Sequence, residues 1–442
     1  MENVDFTKMS ISKAIGHIAL PMIFITFFNT LYNLVDMFWI GRLGYEQIAA
    51  VGLFGIFFDS VVIFNEIVGI GSTPLITRNY GAKNYQKVNE VFKQTLFLKL
   101  LIAFVFCFIG IFFMENIMVI FGAQGDVITY GILYGRIMSV GLLFVLSSVT
   151  LATAMRGVGD PRTPMKILIF SNVMNIILDP VLIIWAGLGV RGAAIASVMS
   201  QMVAFSIGIF LVTTGRHLLV IDRKVKFDFK IIKTILHIGI PAGIESLGKN
   251  LTNIVTVRIV AGFGMTALAG FQIFFKVMTV PWMLIFGLVL ACETLVGHNL
   301  GALKPERAEK TAVKSGYIGT VIMIAFGAVF FIFSKQIVSF FNITEAVVQT
   351  GSACFMIASP FLVFLGFSYP LSGAFYGSGD TKTLMIITFI VSFCYQIPMM
   401  VFMSIVLGVN GVFLAYGSAM FVGFCITLAW FSRGKWKERK LE

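Results

Sequence analysis

Charge is what this sequence has least of. Only 12% of its 442 residues are Asp, Glu, Lys or Arg, where a soluble protein of this length carries roughly a quarter. Histidine occurs four times and cysteine five times. The cysteines (Cys107, Cys292, Cys354, Cys394, Cys425) all fall in apolar runs without CxxC spacing, which reads as small buried hydrophobes rather than disulfides or metal ligands. P-loop, HExxH and Gly-x-Ser-x-Gly motifs are absent, so nothing marks ATP hydrolysis or hydrolase chemistry. "HLLVID" (His217–Asp222) matches the HxxxxD of acyltransferases, but stands alone with no Gly-rich phosphate-binding stretch after it. No cleavable signal peptide is expected, because the first apolar run, from near Ile15, is too long and lacks a small-residue cleavage site.

What fills the chain is apolar surface. Hydrophobic residues make up 58%, the mean hydropathy is +0.93, and runs long enough to cross a hydrocarbon core of ~30 Å recur from end to end. We read twelve spans, at 15–40, 47–76, 95–114, 127–153, 164–186, 192–214, 235–260, 266–297, 313–334, 346–374, 383–406 and 410–432. The expected fold class is an all-α integral membrane protein. Lys and Arg concentrate in segments on the side of the N-terminus, such as "RNYGAKNYQKVNEVFK", "NLGALKPERAEKTAVK" and the tail "RGKWKERKLE". By the positive-inside rule both termini are expected to be cytoplasmic, in a cell (inner or plasma) membrane. The net charge of +12 is then topology, and no nucleic-acid partner is implied.

The two halves of the sequence lie on each other at one fixed offset. Pro21 meets Pro241, Gly44 meets Gly264, "NYGA" (79–82) meets "NLGA" (299–302), and "RGVGDPRT" (156–163) meets "YGSGDTKT" (376–383). "GVRG" (189–192) then meets "GVNG" (408–411) with a slip of one. Each half holds six spans, an even number, so both halves enter the membrane in the same direction as a parallel repeat. The expected organisation is an N-terminal six-helix lobe (1–214), a cytoplasmic linker (215–234) and a C-terminal six-helix lobe (235–442). Two like-oriented bundles with a cleft between them suit alternating access, in a chain that works as a monomer.

Within the first apolar run stands Asp36, between Val35 and Met37. A carboxylate at the centre of a membrane helix costs ~2.5–3.5 kcal/mol on the insertion scale. Asn29, Asn33 and Asp36 fall at i, i+4 and i+7, one helical stripe with Tyr32 on its flank. A second stripe, Asn172, Asn175 and Asp179, lies in the fifth span and a weaker one, Ser197, Ser200 and Gln201, in the sixth. Topology places Asp36 and Asp179 at a common depth. Two carboxylates side by side in low dielectric do not both ionise cheaply, so the pair binds a proton, a cation or a basic side chain. Oxygen-rich surroundings suit a hard ion such as Na⁺, and a proton equally well. Pro180 directly after Asp179 frees a carbonyl one turn back, which predicts a kink. The competing reading for the Asn residues is a polar seam of interhelical hydrogen bonds, ~0.6 kcal/mol each.

The first-span wording (Pro21, Leu31–Asp36, Ile40–Gly44), "NYGAxN" and "NLGA", "RGxGDPRTP" and the six-plus-six repeat together resemble the multidrug and toxic compound extrusion (MATE) family over essentially the whole chain. The resemblance implies a MATE-like fold of two six-helix lobes. It implies that Asp36, Asn175, Asp179 and Ser197 form the Na⁺/H⁺ coupling site of the N-terminal lobe; relatives often carry Thr where Ser197 stands. Pro21 matches a proline at which the first span bends when the site protonates. Asn29, Tyr32, Asn33, Tyr134 and Asn172 are assigned to the substrate pocket beside it.

The second half has lost the acids. Asp36 becomes Thr256, Asn33 becomes Asn253, Asn29 becomes Lys249, and Asp179 falls near Ile397. Coupling is therefore expected to be confined to the N-terminal half. Glu245 and Lys249, at i, i+4, are expected to neutralise each other, and Arg258 and Lys276 to pair with Glu293, Glu66 or Asp59. His17 and His237 read as interfacial, and Asp160 and Asp380 as helix caps in GxGD turns. The function expected is a non-enzymatic, cation-coupled antiporter, needing no cofactor, that exports small lipophilic organic cations. The alternative is a lipid-linked oligosaccharide flippase of the same superfamily, which the acidic N-terminal pocket disfavours.

Overall fold

The structure is a computed structural model and describes residues 5–221 and 227–441. Part of the expected linker, 222–226, including Asp222 of the HxxxxD match, lies outside the described residues. The described chain is helical, with no strand. The first half runs α1 (Ile11–Gly41), α2 (Tyr45–Gly81), α3 (Tyr85–Phe112), α4 (Met114–Ile120), α5 (Asp126–Gly157), α6 (Arg162–Pro180) and α7 (Val190–Thr213). The second runs α8 (Phe229–Ala261), α9 (Met265–Gly301), α10 (Pro305–Ile332), α11 (Ser334–Phe341), α12 (Glu345–Ala358), α13 (Leu362–Ser378), α14 (Thr381–Phe389), α15 (Ile397–Leu407) and α16 (Val409–Ser432). A 3₁₀ turn at Ser359–Phe361 joins α12 to α13, and a π-helical stretch at Ile390–Gln396 joins α14 to α15.

Among the described residues, eleven spans are long and apolar enough to cross a membrane on composition alone. The twelfth is α8. Its 33 residues suffice in length, but Glu245, Lys249, Asn250, Asn253 and Arg258 make it less apolar than its neighbours.

The duplication is visible in the geometry. Helices α2 and α9 are both 37 residues long, α3 and α10 both 28, and α7 and α16 both 24. In the NYGA and NLGA turns, Asn79 Nδ2 donates to the Leu75 carbonyl and Asn299 Nδ2 to the Leu295 carbonyl, each at 2.8 Å. Lys83 and Leu303 turn each corner with φ of 61° and 57°, a strained choice for side-chain-bearing residues that recurs at the same register. Gly159 and Gly379 hold the left-handed corners of the two GxGD turns, at φ 84° and 81°.

Two compact units result, one of Met1–Ala19 with Ile240–Glu442, the other of Leu20–Gly239. The divisions fall inside α1 and α8, at the residues preceding Pro21 and Pro241, rather than in the loop between the halves. In the Leu20–Gly239 unit, α5 packs against α2, α3 and α7 around a core that includes Phe54, Tyr134 and Leu142. In the other unit, α13 packs against α9, α10 and α16. There Phe6, on the N-terminal segment, is buried between the rings of His17 and His298. Arg307 holds that segment by donating to the Phe6 and Met9 carbonyls.

Each half also ends in a tail that turns back on its own GxGD corner. Asp160 Oδ1 accepts from the Thr163 N–H at 3.1 Å, and its Oδ2 lies 3.4 Å from His217 Nε2, just past α7. Asp380 accepts from the Thr383 hydroxyl at 2.7 Å and from Arg439 Nη1 at 3.2 Å, just past α16. The cap reading agrees with the Thr163 N–H contact of Asp160; Asp380 stands at the N-cap position of α14 but makes no side-chain cap bond there, its carboxylate being taken by the Thr383 hydroxyl and Arg439 instead. The tails are fixed again one helix away. Asn89 accepts from the Val220 N–H at 2.9 Å, and Glu309, its counterpart in the repeat, pairs with Lys437 at 2.7 Å. Leu219 and Trp436, beside them, are fully buried.

Two sequence expectations need correction. Cys107, Cys292 and Cys354 are buried, but Cys394 and Cys425 are exposed, so apolar neighbours in sequence did not place them in a core. Among the described residues neither Arg258 nor Lys276 makes an ion pair; Glu66 acts instead on Lys99, a fully buried lysine of α3. Gly69 leaves the space: a Cβ there would stand 3.2 Å from the Lys99 ammonium. The Glu245–Lys249 pair forms as expected, at 2.7 Å.

Candidate functional site

The polar stripes of α1, α6 and α7 meet inside the Leu20–Gly239 unit. Asn172 donates to Asn29 Oδ1 at 2.7 Å, tying α6 to α1. One turn on, the Tyr32 hydroxyl lies 3.3 Å from Ser197 Oγ, tying α1 to α7. Asn175 completes the triangle. In the amide orientation that satisfies both partners, its Nδ2 donates to Asp179 Oδ2 at 3.1 Å and its Oδ1 accepts from the Ser197 N–H at 3.2 Å.

Asp179 is fully buried, and Asn172, Asn175 and Ser197 are nearly so. Asp36 and Asp179 interact electrostatically, and Tyr32 and Tyr134 feel both carboxylates. Oδ1 of Asp36, Oδ1 of Asp179 and Oγ of Ser200 are buried without a hydrogen-bond partner among the described residues. A buried oxygen acceptor without a donor is costly. The two carboxylate oxygens, in groups that interact, make an acceptor-rich cluster that suits a proton or a hard monovalent cation. Among the described residues no group of three or more His, Cys, Asp or Glu is arranged for a transition metal, and oxygen-only donors fit that chemistry poorly in any case.

Two expected residues stand apart from this network. Asn33 is exposed on α1 and joins no hydrogen bond of the cluster. Tyr134 is packed in the unit's core, its ring 5.3 Å edge-on from Phe54. Pro21 is buried within an unbroken α1.

The kink expected at Pro180 takes a specific form. Helix α6 runs through Pro180 and loosens into a π-helical turn, Val181–Trp185, directly after Asp179 and Pro180. Gly192 of α7 makes room for it: a Cβ there would stand 2.6 Å from the Leu182 carbonyl. Pattern reading finds the proline but not the wider turn, whose only sequence signal is the repeated Gly of GVRG and GVNG. In the other half, Thr256 occupies the place of Asp36 and is satisfied within its own helix, donating to the Thr252 carbonyl at 2.8 Å.

Comparison with known proteins decides the family. The MatE family model matches residues 21–181 and 241–402, two copies that begin at the equivalent prolines Pro21 and Pro241. The chain belongs to the MatE family. Among its relatives, the probable multidrug resistance protein YoeA of Bacillus subtilis (strain 168) is 27% identical over 451 residues, covering 98% of this chain and 96% of its own. The multidrug export protein MepA of Staphylococcus aureus (strain NCTC 8325 / PS 47) is 26% identical over 409 residues, covering 92% and 90%. Among solved structures, a MATE in the bent conformation superposes with TM-score 0.91 at 24% identity over 98% of both chains. A MOP superfamily transporter from Pyrococcus furiosus Vc1 (DSM3638) superposes with TM-score 0.90 at 23% identity, over 100% of this chain and 99% of its own. The chain thus has the twelve-helix MATE fold and is a multi-pass membrane transporter, not an enzyme.

Proposed function

We propose that this MATE protein is an antiporter that exports lipophilic organic cations by alternating access, driven by entry of H⁺ or Na⁺. The observation that carries the reading is the pair of membrane-buried carboxylates, Asp36 and Asp179, each with an oxygen lacking a donor. Asp36, Asn175, Asp179 and Ser197 are the coupling site. Asn29, Tyr32, Asn33, Tyr134 and Asn172 are the polar side of the substrate path, and Pro21 is the hinge of α1. The names of YoeA and MepA support drug-like organic compounds as cargo. The chain acts as a monomer in the cell membrane with both termini cytoplasmic, as its Lys and Arg distribution supports. An acidic N-terminal cluster favours cationic cargo over the diphosphate of a lipid-linked oligosaccharide.

The test is transport in proteoliposomes with the pH and Na⁺ gradients imposed independently. Uptake of a fluorescent organic cation driven by at least one of the two is expected. Equal uptake with neither gradient means that the coupling reading is wrong.

A further inference from the structure

The second half holds a cavity of about 280 Å³ within the Ile240–Glu442 part of its unit. In register it is the image of the acid cluster. Lys249 stands where Asn29 does, Thr256 where Asp36 does, and Ser392 where Asn172 does, and all three line the cavity. Duplication has kept the place and changed the polarity.

Glu245 and Lys249 are the charged residues of the lining. The Glu245 carboxylate is buried and already served: Lys249 Nζ lies 2.7 Å from Oε1, the Tyr376 hydroxyl donates to Oε2 at 3.0 Å and the Thr388 hydroxyl to Oε1 at 3.4 Å. Its capacity is used, and it acts as an anchor. Lys249 is the opposite case. Its side chain is 42% exposed, its ammonium sits 5.4 Å from the centre of the Tyr369 ring, and Glu245 takes one of three N–H donors. The walls beside it are aromatic: Trp282 meets Tyr369 edge-on at 4.5 Å, and Tyr416 meets Phe275 at 5.8 Å.

We infer that this cavity is a second substrate subsite in which Lys249 receives the carboxylate of an aromatic ligand. The inference rests on the export reading and adds to it the place, and the residue, that take the anionic end of a ligand. A ring-sized ligand matches a cavity at the small end of the ligand-site range. Glu245 fixes the Lys249 stem from behind, so the ammonium meets the ligand preorganised. A purely cationic ligand gains nothing from Lys249, and its positive end belongs at the acid cluster of the other half.

Two dyes with the same ring system separate the classes: rhodamine 110, which carries a free carboxylate, and rhodamine 123, its methyl ester. Equilibrium binding of each to the full chain in detergent, at fixed pH 7.5 and fixed Na⁺, gives an affinity ratio. Lys249→Met is expected to lower the carboxylate-to-ester ratio about tenfold, the worth of one charge-assisted hydrogen bond. Glu245→Gln, which removes the competing anion, is expected to raise it, and Lys249→Arg to preserve it. A ratio unmoved by both Lys249→Met and Glu245→Gln overturns the inference, as does an equal loss for both dyes in Lys249→Met. Since the ratio is read without any gradient, failure of the coupling reading leaves it intact.

Discussion

Asp160 and Asp380 occupy equivalent places in the two halves, and each is gripped by the tail that follows the last helix of its own half: His217 at 3.4 Å for the first, Arg439 at 3.2 Å for the second. The partner has changed from imidazole to guanidinium, yet the clamp is the same. Burial alone raises a carboxyl's pKa, but donation from His217 and from the Thr163 hydroxyl and N–H outweighs it and holds Asp160 down to about 2. Because the folded value lies below the ordinary 3.8, this contribution to stability is complete above about pH 4. It is lost as pH falls through about 2, where the folded state takes up the proton too. Asp160→Ala is therefore expected to lower the unfolding temperature in detergent at pH 7, at a cost of about 1 kcal/mol for the lost cap. The gap to the wild type should close between pH 4 and pH 2. A gap constant down to pH 2 would mean that the charge of Asp160 is irrelevant.

Asp36→Asn and Asp179→Asn should each abolish gradient-driven export while expression stays normal, because an amide keeps the shape of the cluster but exchanges no charge. Glu245→Gln should affect the driven rate less, since its carboxylate is neutralised by Lys249 at 2.7 Å whatever the gradient. Proteoliposome uptake at saturating dye separates the three variants. Wild-type rates in both aspartate variants would leave the polar seam as the explanation of the stripe.

The stripes were legible because helical spacing and residue type suffice to put Asn29, Asn172, Asn175 and Asp179 on facing surfaces, and the 2.7 Å Asn29–Asn172 bond is where they meet. The repeat was legible because the turns need the same backbone at Lys83 and Leu303. What stayed hidden depends on neighbours distant in sequence. Nothing local says that Gly69 leaves a berth for Lys99, or that Cys394 and Cys425 are exposed. A charge inside an apolar run shows that a partner is needed, not which one. The unit boundaries at Leu20 and Ile240 fall within continuous helices, where composition does not change.

Gly192 gives a test of the π-helical turn. A methyl group there would stand 2.6 Å from the Leu182 carbonyl carbon and oxygen, contacts that backbone cannot yield without moving. Gly192→Ala is expected to cost ~1–3 kcal/mol, the usual penalty of overpacking. It should also weaken coupling, because the displaced segment begins at Val181, next to the Asp179–Pro180 pair. Thermal unfolding and driven uptake measured on the same preparation check both. A variant as stable and as active as the wild type would show that the close approach of α7 to this turn is dispensable.

On the antiport reading proposed above, the acid pair also fixes how ion and cargo depend on each other. With Asp36 Oδ1 and Asp179 Oδ1 both lacking donors, the cluster holds its charge only while something positive lies beside it. A proton or Na⁺ in the cluster, or the cationic end of a substrate next to it, supplies that charge. The two therefore compete, and linkage makes the competition reciprocal: whatever factor the ion takes from substrate affinity, the substrate takes from ion affinity. Acidification neutralises the carboxylates and removes the attraction for the substrate cation, so affinity falls as pH falls, and Na⁺ acts in the same direction at fixed pH. On the antiport reading, neutralisation is expected to let α1 bend at Pro21 and close on the path of the released ligand. Equilibrium binding of rhodamine 123 in detergent, titrated from pH 8 to pH 5 and from zero to high Na⁺, should show affinity lost along at least one axis. Asp36→Asn should flatten that axis. Affinity constant along both axes in the wild-type chain would mean that Asp36 and Asp179 are not the exchange site.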